Sequence, residues 1–161
     1  MRETVTDLVS KLERAHSAFC EALVELGETD RLDERPQPGE WNAREVAAHQ
    51  MTAERWMRGV AANAQGAAGP PFDAPFPEGE IGFPKEIAGQ PLTALVRLLE
   101  SERELTLVLL AHSSDADLTR PIGPGPSGEQ LTLGGWLTAI AGHESRHTAQ
   151  LGAVLRGRQA P

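Results

Sequence analysis

Residues 143–147 read His-Glu-Ser-Arg-His, the spacing in which two helical histidines bind zinc and the glutamate between them serves as general base. His143 and His147 project from one helical face about one turn apart, so two imidazole nitrogens can reach a single ion. The same face carries Ile140, Leu151 and Val154, which turns the pair toward an apolar interior where each ring needs a partner. A metalloprotease of this kind takes its third ligand from downstream. Six residues past His147 stands Ala153, and none of the 14 residues after His147 is Asp, Glu, His or Cys. The protease reading fails there, and a third ligand must come from upstream.

His49 is the best candidate, on an apolar helical line with Val46, Ala53, Trp56 and Val60. Three neutral imidazoles with open positions make a divalent transition-metal site, and the residue types do not choose among Zn, Ni and Fe. Glu144 is rotated about 100° from His143, which predicts a partly exposed carboxylate on the helix flank with no catalytic part. Gln150 shares the ligand face and can hydrogen-bond a ligand ring. His16 and Glu102 complete a possible outer shell. His16 lies on an apolar stripe as a groove histidine, with a fourth-ligand or proton-relay role as the alternative; Glu102 reads as a boundary residue at a bundle edge, with a ligand role as the alternative. His112 is accounted for by the negative end of a helix. Cys20 reads as structural, and Trp41, Trp56 and Trp136 as core or staple residues, with pocket walls as the second reading.

The elements that must position these groups are helical. Residues 4–27 carry Val5, Val9, Leu12, Phe19, Leu23 and Leu26 at steps of three and four, and Gly27 follows as a stop. A second helix starts at Asn42, with Glu45 completing a capping box and Trp41 stapling to Val46. Residues 66–90 contain five prolines, which exclude a regular helix. That segment, with Phe72, Phe76, Ile81 and Phe83, is either an apolar lid or a loop packed on the bundle side. A third helix runs from Pro91, at its first position, to about His112, and a fourth from near Thr132 to about Arg156. Four long helices, no convincing strand and no repeat predict one all-α domain, a four-helix bundle over residues 1–161.

Bulk properties narrow the setting. A chain of 161 residues with a formal charge of -8 lacks the basic surface that nucleic acid or an anionic membrane requires. One cysteine allows no internal disulfide. No signal-peptide core is seen and no stretch approaches the ~18 apolar residues of a membrane span, so a cytoplasmic protein acting on a small molecule is expected.

The segments P-G-E-W-N-A-R-E-V-A-A-H, ending at His49, and G-W-L-x-x-I-A-G-H-E-S-R-H-T-A-Q-L, ending at Leu151, resemble the DinB superfamily (the DinB/YfiT-like metalloenzymes). The resemblance extends over nearly the whole chain. It implies an up-down-down-up bundle with a long crossover between helices 2 and 3, metal ligands at His49, His143 and His147, and a homodimer. It also implies a class of activity. Similar proteins include enzymes that use a low-molecular-weight thiol as cosubstrate, maleylpyruvate isomerase among them, so thiol transfer or thiol-assisted chemistry is the leading expectation. Hydrolysis by metal-bound hydroxide and a non-catalytic, stress-linked metal-binding module are the alternatives.

Overall fold

The computed structural model describes residues 3–77, 82–125 and 127–157. Reciprocal caps start two of its helices. Thr4 accepts from the Asp7 N–H while Asp7 accepts from the Thr4 N–H, opening α1 (Val5–Glu28). Asn42 and Glu45 do the same for α2 (Ala43–Ala64), where Arg35 also grips the Glu45 carboxylate at 2.7 and 2.8 Å. Trp41 packs on the apolar cluster that holds Val46, as the staple requires. A single turn, α3 (Lys85–Ala88), precedes α4 (Leu92–Ala111). Pro91 is the N-cap of α4 rather than its first helical residue, because its ψ of 152° is extended. Thr132 caps α5 (Leu133–Arg156) by accepting from the Gly135 N–H.

The connections hold structure where the sequence predicts only loops. The turn α3 interrupts the proline-rich crossover, started at Pro84. The loop before α5 holds a two-stranded antiparallel hairpin, β1 (Pro121–Pro124) and β2 (Gln130–Thr132), which pairs Pro121 with Thr132 and is bulged before Gly123. Strands this short, one bounded by prolines, offer no alternating pattern to read.

Packing fixes the direction of each helix. One apolar cluster joins the end of α1 (Phe19, Leu23, Leu26) and of α5 (Leu151, Val154) to the start of α2 (Val46, Ala47) and of α4 (Leu95, Leu99). The other joins the start of α1 (Leu8, Leu12) and of α5 (Leu133, Leu137, Ile140) to the end of α2 (Met57, Ala61) and of α4 (Leu110). Hence α1 and α5 run one way, α2 and α4 the other, an up-down-down-up bundle. Because α2 and α4 are parallel, the crossover must return the length of the bundle, and its aromatic rings mark the path. Phe72 meets Trp136, Phe76 meets Trp56 and His49, and Phe83 meets Trp41. Ile81 lies outside the described residues.

Between the two apolar clusters sits a buried polar layer of Gln50, Glu54, Arg103, Thr106 and Glu144. Arg103 binds Glu54 at 2.8 and 3.0 Å, Glu144 at 2.7 Å and the Leu12 carbonyl, while Thr106 donates to Glu54 at 2.8 Å. Every charged group in the layer has a partner, as a dry interior demands. No helix among the described residues is long and apolar enough to cross a membrane.

Candidate metal centre

Helix α5 presents His143 and His147 to α2, and α2 presents His49 back. The Nε2 atoms of His49 and His143 are 3.1 Å apart, and those of His143 and His147 are 3.2 Å apart. Every Nδ1, by contrast, faces an oxygen. His49 Nδ1 donates to the Gly82 carbonyl, His143 Nδ1 to Gln50 Oε1 at 2.8 Å, and His147 Nδ1 to Gln150 Oε1 at 2.5 Å. Those three acceptors place the single proton of each neutral ring on Nδ1 and leave three Nε2 lone pairs converging. Converging lone pairs repel unless a cation lies among them. Nitrogens held ~2.0–2.1 Å from a tetrahedral Zn²⁺ stand ~3.3 Å apart, close to the spacing found. The donor set therefore fits a divalent metal, with the outer-shell acceptors such ligands require.

Electrostatics keep the rings neutral. Burial, then the neighbouring His147, His49 and Arg146, push the His143 pKa down to about 3. Burial also lowers His49, against the pull of the Gly82 carbonyl, and lowers His147, against its bond to Gln150.

His16 behaves oppositely. Burial works against its charge, but its contacts with Cys20 and Glu144 push its pKa up to about 9. For metal-free protein the signs are opposed. His143, depressed from an ordinary 6.5, costs stability as pH falls below that value toward about 3. His16, raised from 6.5, stabilises fully below that value and ceases to do so as pH rises through about 9. Chelator-treated protein is expected to be most stable near pH 6.5, with urea midpoints falling on both sides. A midpoint still rising at pH ~9 would contradict this.

Gly82 is required twice over at its position. Its φ is +78°, and a Cβ there would stand 2.9 Å from the Trp41 ring. Gly82→Ala should displace the carbonyl that orients His49 and weaken metal binding by roughly 10-fold or more, read by competition with a chromogenic chelator.

The other expected site residues divide. Gln150 reaches His147 as its spacing suggested, and its exposure opens that side of the site to solvent. His16 is not a fourth ligand. Its Nδ1 lies 3.1 Å from Glu144 Oε1 in the α1 side of the core. Glu102 stands apart from the histidine cluster, at the bundle edge; it is 5% exposed and held by Arg55 at 2.5 Å and Arg58 at 2.6 Å. Glu144 corrects the expectation most sharply. The flank onto which it turns is covered by α1 and by Arg103 of α4, so the carboxylate is fully buried. Gln50 went unread in the sequence, although a glutamine between His49 and Met51, in a run otherwise rich in small apolar residues, signals a buried polar contact.

A helical bundle with a three-histidine, metal-competent site defines the class. The DinB superfamily model matches residues 11–151, and the chain belongs to that superfamily. No curated protein matches it significantly. Among solved structures it is similar to YfiT from Bacillus subtilis, described as "a probable metal-dependent hydrolase with an unusual four-helix bundle topology", with a TM-score of 0.78 over 98% of this chain and 89% of that one. At 19% identity the likeness establishes the shared fold.

Proposed function

We propose that the protein is a divalent-metal-dependent enzyme that activates a low-molecular-weight thiol for transfer to a small electrophile. The observation that carries the metal half is the convergence of three Nε2 atoms whose Nδ1 partners are all oxygens. When bound, the ion supplies Lewis acidity that favours the deprotonated form of a thiol or of water. The side chains favour the thiol. His49, His143 and His147 add no negative charge, and Glu144, the carboxylate nearest in sequence, faces α1 with both oxygens engaged. A free thiol (pKa ~8.5) starts far closer to ionisation than free water (~15.7), which an ion must bring down to ~7, and among the described residues no Asp or Glu joins the three histidines to serve as a base.

An enzyme is favoured over a structural metal module because, among the described residues, no fourth His, Cys, Asp or Glu joins the three. Phe76, 5.4 Å from the His49 ring, and Trp41, 4.8 Å from it, give the substrate side an apolar wall. A homodimer belongs to the same proposal, and the exposed Leu105 and Val108 of α4 offer an apolar patch for it. A hydrolytic reading is supported by the description of the YfiT structure.

The test is metal-loaded protein offered an activated aryl halide with each of several cellular thiols, and separately activated esters and amides. Metal-dependent thioether formation supports the proposal. Metal-dependent hydrolysis without it would replace thiol transfer by hydrolysis, and neither reaction in protein with full metal content would favour the non-catalytic module.

A further inference from the structure

On the opposite side of α5 from the histidine cluster, three groups stand in line. Cys20 Sγ lies 3.6 Å from His16 Nε2, one turn earlier on α1, and His16 Nδ1 lies 3.1 Å from Glu144 Oε1 on α5. We propose that Cys20, His16 and Glu144 form a thiol-activating relay, a second reactive centre that is separate from the metal site and takes low-molecular-weight disulfides.

The arrangement is that of a nucleophile, a base in reach of it, and a carboxylate that orients the base. Glu144 is the positioning residue. It is fully buried and its Oε2 is pinned by Arg103 at 2.7 Å, so its Oε1 fixes the tautomer and the plane of His16. With Nδ1 donating to Glu144, Nε2 is the atom left to share the thiol proton. The charge of the layer supports the same assignment. Glu54 and Glu144 carry two negative charges against the single positive charge of Arg103, so the layer accommodates one further positive charge at His16.

The pKa of His16, held up at about 9, agrees with that form at neutral pH. In that form Nε2 carries the proton it shares with the thiol. The charged groups that share the surrounding groove are Glu13 of α1 and Glu100, Arg103 and Glu104 of α4, with Glu144 of α5 behind them. That groove, of about 610 Å³, exposes the His16 ring, and Cys20 is itself partly exposed.

The step balances without further reagents. With the thiol proton already held on His16 Nε2, the sulfur of Cys20 attacks one sulfur of the disulfide. A protein–ligand S–S bond forms, the disulfide's own S–S bond breaks, and the departing thiolate takes the electron pair and then the proton from His16. Cys20 is oxidised and one half of the disulfide reduced.

Cys20 is the only cysteine in the chain, so thiopyridone release from neutral 4,4′-dithiodipyridine reports it alone. At pH ~7 the folded protein should react about tenfold faster than the same chain unfolded in urea, and His16→Gln should remove that advantage and move the rise in rate to higher pH. Chelator should leave both results unchanged, which separates this centre from the metal proposal. A folded rate no higher than the urea rate overturns the relay even if His16→Gln does not fold. A folded His16→Gln protein that matches wild type in rate and pH profile overturns it as well.

Discussion

His49→Ala is expected to strip the protein of its metal while leaving the bundle folded. The residue is the one member of the histidine cluster supplied by α2, and its Nε2 closes a triangle that His143 and His147 alone leave open. Loss of an outer-shell partner typically costs 10–100-fold in affinity, so loss of the ligand itself should cost more than about 100-fold. Metal present at ~100 times its Kd stabilises the native state by about 2.7 kcal/mol, and a 100-fold weaker site at the same concentration by only about 0.4 kcal/mol. Metal analysis after dialysis, together with melting temperature with and without added metal, checks both effects. Unchanged metal content in the variant would remove His49 from the site and with it the cross-helix reading.

Arg103→Met should be the most damaging single change to the fold. Arg103 is 3% exposed and is the cation between Glu54 and Glu144, which are themselves buried. Methionine fills much of the volume but leaves two carboxylates facing an apolar interior. Removing one partner of a buried pair costs about 3–5 kcal/mol, a large part of the 5–15 kcal/mol that holds a domain together. Arg35→Ala is the natural control. Its guanidinium binds Glu45 at the surface, where such pairs contribute at most about 1 kcal/mol. Urea unfolding of the two variants should therefore differ severalfold in lost stability. A loss below about 1 kcal/mol for Arg103→Met would mean that the polar layer does not hold the bundle's middle together.

Much of this architecture was legible because its signals are local. Asn42 with Glu45, and Thr132 before α5, announce helix starts through hydrogen bonds that span three residues, and both formed where the sequence placed them. His49, His143 and His147 were legible because each lies on an apolar line of its own helix. Glu144 was not, since the angle between neighbouring residues says nothing about what covers the next face. Helix α5 is flanked by α2 on one side and α1 on the other, so a turn of about 100° away from the ligand face leads to His16 instead of water. Gln50 and Arg103 escaped for a related reason. Their partners lie 93 and 49 residues distant, and only the assembled bundle brings them together.

The parallel pairing of α2 and α4 has a consequence for how the protein can change. A chain leaving α2 must travel about 33 Å, the length of its 22 residues, before α4 can begin. Most folds would treat such a return path as spare length. Here it delivers the Gly82 carbonyl to His49 and the Phe76 ring to its side. The helices thus hold the three histidines, while a segment outside them sets the alignment of one of them and the wall beside it. The core and the surroundings of His49 are written in different stretches of chain, so the crossover can vary and alter those surroundings without repacking the core.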